Sequence, residues 1–261
     1  MKVAILCGGR GTRLRDVSDT IPKPMVTVGG KPILWHIMKL YAHHGIKDFV
    51  LLLGHKGDVI REFFLNYSLQ SVDVTIDLSL TGSERLIFHD RQSEDWSVTL
   101  AETGEHTMTG GRIWRARRYL EDADCFCLTY GDGVGDVDIT ALIAHHRAHG
   151  RTATLTGVYP PGRFGELTVT QGAVAAFNEK PQVAGGYING GFFVFNRNFL
   201  NDYLDKSDDL VLELGPMAKL SEKRDLMVFQ HDGFWQPMDT PREYSMLNDL
   251  WARGKAPWKV W

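Results

Sequence analysis

The feature that most restricts what this chain can fold into lies at its start. Four apolar residues, Val3, Ala4, Ile5 and Leu6, run directly into Cys7-Gly8-Gly9-Arg10-Gly11-Thr12-Arg13-Leu14. A short continuous apolar run suits a strand buried on both faces of a parallel sheet. The loop after it carries three glycines, so backbone N–H groups can converge on a chain of phosphates with no Cβ in the way. Arg10 and Arg13 add positive charge there, and Arg13 can fork onto two phosphate oxygens. The loop lacks the Gly-Lys-Ser/Thr ending of a P-loop and the spacing of a dinucleotide fingerprint. A tight glycine turn after a strand is the plainer alternative.

Beyond the loop, strand and helix alternate. The pattern predicts a helix over 33–44 with Gly45 as its cap, a strand over 48–53, and a helix over 56–67 with Val59, Ile60, Phe63 and Phe64 on its apolar side. A strand over 125–129, a helix over 139–149 ending at Gly150, and a strand over 152–158 follow. This rhythm implies an α/β fold: a Rossmann-like, mostly parallel sheet covered by helices, with ligand sites at the C-terminal ends of its strands. Between about 68 and 111 the rhythm breaks into strands at 72–78, 86–89 and 98–102, which we read as a β-rich insertion. A C-terminal β/α part follows, with strands at 166–170, 173–178 and 191–195 and a last helix over 240–253 carrying Leu247, Leu250 and Trp251. One domain spanning 1–261 is the simplest organisation.

Composition excludes several partners. A net charge of -3 over 261 residues gives no basic footprint for nucleic acid. No apolar run reaches the length of a membrane span, and the first strand is too short for a signal-peptide core. The three cysteines form no disulfide framework, and Cys7 reads as a small structural residue. A soluble cytoplasmic protein is expected, with neither nucleic acid nor membrane as partner.

Two acidic segments stand out. Leu128-Thr129-Tyr130-Gly131-Asp132-Gly133 places Asp132 just past an apolar strand, at the edge where open α/β sheets bind ligands. Asp136-Val137-Asp138 fits the Asp-x-Asp pattern of metal-dependent glycosyltransferases, but it precedes a predicted helix, where aspartates cap. We read Asp138 as a cap and Asp132 as a ligand. The histidines, including the pairs His43-His44 and His145-His146, read as structural or exposed.

Taken with Pro22-Lys23-Pro24, the glycine loop resembles the signature of the sugar-phosphate nucleotidyltransferases. Gly30-Lys31-Pro32-Ile33-Leu34-Trp35-His36-Ile37-Met38, Thr107-Met108-Thr109-Gly110-Gly111-Arg112, Pro160-Pro161-Gly162-Arg163-Phe164-Gly165 and Phe234-Trp235-Gln236-Pro237-Met238-Asp239-Thr240 look like one branch of it, the glucose-1-phosphate cytidylyltransferases. The ending Gly254-Lys255-Ala256-Pro257-Trp258-Lys259-Val260-Trp261 is similar too, so the resemblance covers nearly the whole chain. It implies the nucleotide-diphospho-sugar transferase fold. It also implies nucleotidyl transfer from CTP to α-D-glucose 1-phosphate, giving CDP-glucose and pyrophosphate for deoxysugar or polysaccharide precursors such as O-antigen. Mg²⁺ is the implied cofactor, CTP and a hexose 1-phosphate the implied small-molecule partners, and a homo-oligomer the implied assembly.

The implied nucleophile is already an anion, so the site needs cations and backbone donors more than a strong base. Arg13 and Lys23 are the catalytic candidates, with the two prolines stiffening the backbone around Lys23; Lys31 is a weaker one. Leu6, Gly8, Gly9, Arg10, Gly11 and Thr12 of the loop, with Thr107, Arg112 and Gly131, are the nucleotide-binding candidates. By resemblance, Glu179, Lys180, Asn189 and Gly190 meet the sugar phosphate, and Asp239 joins Asp132 as a metal ligand. Two carboxylates plus triphosphate oxygens make a hard oxygen site suited to Mg²⁺. One segment departs from the branch: where it has Trp-Glu-x-Glu-Pro, this chain has Leu212-Glu213-Leu214-Gly215-Pro216. Other nucleotides or hexose phosphates, a glycosyltransferase using Asp136 and Asp138, and a regulatory subunit without turnover stay open as alternatives.

Overall fold

The computed structural model describes residues 1–9, 21–89, 94–160, 166–170, 173–178 and 186–261, with 166–170 and 173–178 described by backbone pairing alone. The apolar runs read from the sequence become the interior of one seven-stranded sheet. Its strands are β1 (Lys2–Leu6), β2 (Asp48–Leu53), β3 (Ser97–Glu102), β4 (Cys125–Tyr130), β5 (Ala153–Val158), β6 (Ile188–Asn196) and β7 (Leu226–His231). Their order is β7-β5-β6-β4-β1-β2-β3. Every pairing in this sheet is parallel except those of β6, which runs antiparallel to both β5 and β4.

Side chains alternate across a strand, so each buried strand feeds two cores. On one face lie Val3, Ile5, Phe49, Leu51, Leu53, Phe192 and Val194; on the other lie Ala4, Leu6, Val50, Leu52, Phe193 and Phe195. Helices α1 (Ile33–His43), α2 (Gly57–Leu65), α4 (Ile139–His149) and α6 (Pro241–Ala252) contribute to the first core. Helices α3 (Thr109–Ala116) and α5 (Pro216–Glu222) cover the second. Both faces of β1 are sealed, as its unbroken apolar sequence requires. Strand order reverses direction between β1 and β4, and the loops leaving their C-terminal ends open a crevice there.

The helix and strand expectations hold with small shifts at their ends, and Gly45 and Gly150 have the positive φ that ends a helix. The reading of 68–111 needs a correction. Only Val74–Ile76 and Leu86–Phe88 form a hairpin apart from the sheet. Ser97–Glu102 is the sheet's edge strand, pairing in parallel with β2. Residues 107–112, which carry two nucleotide-binding candidates, lead into and form the start of α3. Strand β7 and helix α5 went unread. β7 lies on the opposite edge and is half-exposed along its length, so its sequence lacks a continuous apolar run.

The C-terminal tail closes the first core around a histidine. Trp258, 1% exposed, donates its indole N–H to His36 Nδ1 at 3.3 Å, and His36 Nε2 donates to the carbonyl of Val28 at 2.8 Å. The rings of Trp35 and Trp251 meet the same imidazole edge-on at 5.1 and 4.7 Å. Accepting at Nδ1 requires a neutral imidazole. Burial lowers the His36 pKa to about 4, against backbone hydrogen bonds that raise it and with Lys259 adding to the fall. Between pH 6.5 and 4 the unfolded chain then binds the proton that the folded chain refuses, so this contribution is complete above pH 6.5 and is lost as pH falls toward 4. Urea unfolding should give a lower free energy at pH 4.5 than at pH 7, by about 2–3 kcal/mol from this group. His36→Gln should be less stable at pH 7 and show a flatter profile over that window; an unchanged slope would remove His36 as its source.

Candidate active site

A cavity of about 630 Å³ lies at the crevice between the ends of β1 and β4, within the size range of small-molecule sites. Leu6, Gly8 and Gly9 reach it from β1, and Gly131 and Asp132 reach it from β4. The two strand ends are tied directly, the Gly131 N–H donating to the Leu6 carbonyl at 3.1 Å. A Cβ at Gly131 would stand 2.9 Å from that oxygen, so only glycine lets the strands end this close together.

Lys23 enters from a single 3-10 turn, Lys23–Met25, that begins after an extended Pro22. Its side chain is only 11% exposed, which rules out a solvated surface lysine. Nζ donates to Asp132 Oδ2 at 2.6 Å and also to Asp239 Oδ1. Burial pulls the Lys23 pKa down, but the Asp132 charge and the hydrogen bonds to both carboxylates outweigh it and hold the pKa above the ordinary lysine value.

Two pieces of local structure bring the aspartates together. Gly133–Gly135 pairs antiparallel with Trp235–Pro237, and the Met238 N–H donates to the Asp132 carbonyl at 2.8 Å. Residue 239 is thereby set beside residue 132. Asp239 is then fixed by the start of α6, where Thr240 and Glu243 form a reciprocal capping box and Glu243 Oε2 also accepts from the Asp239 N–H at 2.7 Å.

Arg112, a nucleotide-binding candidate, is held in the cavity wall by the backbone around it. It lines the cavity but is 5% exposed. Nη1 donates to the carbonyls of Leu53 and Gly104 and to Thr103 Oγ1, and Nη2 donates to the carbonyls of Gly8 and Glu105. One guanidinium therefore ties together the segments after β1, β2 and β3. The fit is close on both sides, since a Cβ added at Gly8 or Gly54 would stand 2.2 Å from guanidinium atoms. Gly8 is needed for this packing, whereas a Cβ on Gly9 would meet no described residue within 4 Å. Burial lowers the Arg112 pKa, yet the group stays charged at neutral pH. Its charge faces carbonyl dipoles and adds positive potential at the cavity wall.

Other candidates fall into place around this centre. Thr107, 5% exposed, lines the cavity just ahead of α3. Asn189 Nδ2 donates at 3.2 Å to the hydroxyl of Tyr130, which lines the cavity. Gly190 accepts from Trp235 Nε1 at 2.8 Å, and a Cβ there would stand 2.6 Å from Val158. Arg10, Gly11, Thr12, Arg13, Glu179 and Lys180 lie outside the described residues. Lys31 is directed elsewhere, 5.9 Å from the centre of the Trp35 ring. Asp138 caps α4 by accepting from the Ala141 N–H at 2.9 Å, and Asp136 meets His231 Nε2 at 3.0 Å. Asp138 is thus committed to a helix cap. Cys7 is buried, and burial with the Asp132 charge pushes its thiol far above the ordinary range, consistent with a structural residue.

Sequence reasoning missed Tyr130, Thr109 and Glu105 on the cavity wall. The signal for Tyr130 was available: it is the residue before Gly131-Asp132, at the C-terminal end of its strand.

The fold and this cluster define a nucleotidyl transferase, and the chain belongs to that family: the family model described as "Nucleotidyl transferase" matches residues 2–249. Within the family, the glucose-1-phosphate cytidylyltransferase of Salmonella typhimurium is 51% identical over 261 residues, the whole of both chains. A mannose-1-phosphate guanyltransferase of Schizosaccharomyces pombe is 27% identical over 94% of this chain and 62% of its own. The crystal structure of HddC from Yersinia pseudotuberculosis shares the fold, with a TM-score of 0.65 at 24% identity over 96% of this chain and 99% of that one.

Arg112→Lys offers three donors where five acceptors are engaged now. The variant should lose about 2–4 kcal/mol of unfolding free energy in urea. A loss below about 0.5 kcal/mol would show that the acceptors do not depend on the guanidinium.

Proposed function

We propose that this chain catalyses nucleotidyl transfer from CTP to α-D-glucose 1-phosphate, releasing pyrophosphate and forming CDP-glucose. The observation that carries the reaction class is the convergence of Lys23, Asp132 and Asp239 beside the glycine loop, at the cavity formed where strand order reverses. The choice of CTP and glucose 1-phosphate is supported by the full-length relative at 51% identity. In the reaction a phosphate oxygen of the sugar phosphate bonds to the α-phosphorus of CTP, and the bond to the β-phosphate oxygen breaks. The nucleophile arrives as an anion, so no proton must be removed. Holding two polyanions in line and offsetting their charge is the work of the site.

In this reading Lys23 and Arg13 serve the triphosphate and the charge that develops on it. Leu6, Gly8, Gly9 and Gly131 shape the nucleotide's seat, and Thr107 and Arg112 wall it. Glu179, Lys180, Asn189 and Gly190 serve the sugar phosphate.

The residues present suit Mg²⁺. Asp132 and Asp239 present carboxylate oxygens to one point, which Lys23 Nζ occupies here. Two carboxylates with phosphate oxygens make a donor set of hard oxygens. Mg²⁺ held there would supply charge neutralisation at the triphosphate. The product would feed deoxysugar or polysaccharide synthesis in the cytoplasm. Self-association is part of the same reading, and the exposed apolar residues Ile76, Leu78, Ile87 and Phe88 around the hairpin would favour it.

Pyrophosphate release measured across four nucleoside triphosphates and a panel of hexose 1-phosphates should give the highest kcat/KM for CTP with glucose 1-phosphate. Equal or better turnover of GTP with mannose 1-phosphate would overturn the substrate assignment. Asp132→Asn and Asp239→Asn should each lower kcat about a hundredfold or more and weaken the Mg²⁺ dependence. Near wild-type activity of either variant at limiting Mg²⁺ would sink the metal assignment.

A further inference from the structure

A chain of hydrogen bonds links two residues of the cavity wall, Thr109 and Tyr130, through Glu213, and continues from Tyr130 to Asn189. Tyr130, the last residue of β4, donates its hydroxyl to Glu213 Oε1 at 2.5 Å. Thr109, the first residue of α3, donates to Glu213 Oε2 at 2.8 Å while accepting from the Leu212 N–H at 2.9 Å. The Tyr130 oxygen in turn accepts from Asn189 Nδ2, and Asn189 Oδ1 accepts from the Gly191 N–H at 2.9 Å.

The directions of these bonds are not interchangeable. An ionised carboxylate only accepts, so Glu213 draws both hydroxyl protons to itself. The Tyr130 oxygen is left to face Asn189 with lone pairs alone, which selects the amide orientation that points Nδ2 at it. The Gly191 N–H selects the same orientation from the other end. The Tyr130 ring has little freedom to spoil this. It packs edge-on against Phe193 at 5.8 Å, and a Cβ on Gly191 would stand 2.5 Å from it. Burial first, then the charge and hydrogen bond of Glu213, push the Tyr130 pKa well above the ordinary tyrosine value, so the proton stays on the phenol.

Asn189 is itself exposed. Its fixed amide keeps one N–H and one lone pair beyond these two bonds, a donor and an acceptor side by side. Two neighbouring sugar hydroxyls can satisfy such a pair. We propose that Glu213, acting through Tyr130, is the positioning residue for the sugar end of the site, setting the Asn189 amide that receives the hexose hydroxyls. The proposal rests on the reading that places Asn189 at the sugar. It also gives a use to the single acid retained in Leu212-Glu213-Leu214-Gly215-Pro216, where the resembled branch has two.

Steady-state kinetics of Tyr130→Phe, Glu213→Gln, Asn189→Ala and the Tyr130→Phe/Asn189→Ala double variant test it, with each substrate varied in turn. Tyr130→Phe preserves the ring packing, and Glu213→Gln preserves the shape while replacing one acceptor with a donor. Both should raise KM for glucose 1-phosphate roughly tenfold, as loss of an ordering hydrogen bond does, and leave KM for CTP within about twofold. In the Asn189→Ala background, Tyr130→Phe should add less than about twofold, because coupled residues are not additive. A merely structural role would move both KM values together. If Tyr130→Phe leaves the glucose 1-phosphate KM unchanged, or raises it as much without Asn189 as with it, the relay is wrong. If Asn189→Ala itself leaves that KM unchanged, the placement of Asn189 at the sugar fails, and the relay fails with it.

Discussion

The site depends on one buried cation. The Arg112 guanidinium gathers the carbonyls of Gly8, Leu53, Gly104 and Glu105, and so fixes the segments after β1, β2 and β3 relative to one another. Buried carbonyls without donors are costly, and a buried charge without partners is more so. Each satisfies the other here. Gly8 therefore leaves β1 against a rigid wall, and Gly9, which lines the cavity, has no described atom within 4 Å of where a Cβ would stand. A second clasp, Lys23 between Asp132 and Asp239, joins the N-terminal segment to β4 and to the start of α6.

These clasps reconcile a net charge of -3 with a site for polyanions. In the proposed reading, attraction comes from local groups: an Arg112 charge held by backbone carbonyls and the Thr103 hydroxyl, and a lysine between two carboxylates. Asp132 and Asp239 would otherwise repel a triphosphate, and in this structure the ammonium between them offsets their charge. The cavity wall divides along the same lines. In the proposed reading, residues of β1, β4 and the approach to α3 would surround the nucleotide, and the start of β6, tied to Tyr130, would supply the sugar side.

Much of this was legible because buried parallel strands leave unbroken apolar runs, and the ligand edge of such a sheet is set by its topology. Asp132 was found that way, two residues beyond a strand end. The cap at Asp138 was read from helix chemistry, and the structure bears it out. The motif at residues 107–112 marked the right place, but the buried, carbonyl-bound state of Arg112 depends on partners up to 104 residues away in sequence, which no local pattern encodes. The Tyr130–Glu213 contact spans 83 residues and was hidden for the same reason. Strand β3 was misplaced into an insertion because the polar turns before it break the βαβ rhythm, and β7 was missed because a half-exposed edge strand carries a weak apolar signal.

The ammonium held between Asp132 and Asp239 is assigned here to the transfer step and not to a structural ion pair. The decisive quantity is kcat of Lys23→Met against the unsubstituted enzyme, with saturating CTP, glucose 1-phosphate and Mg²⁺ and with far-ultraviolet circular dichroism confirming the fold. A fall of about a hundredfold or more is expected, the usual cost of losing a group that stabilises transition-state charge. A folded Lys23→Met enzyme with kcat within about twofold of the original would contradict the assignment.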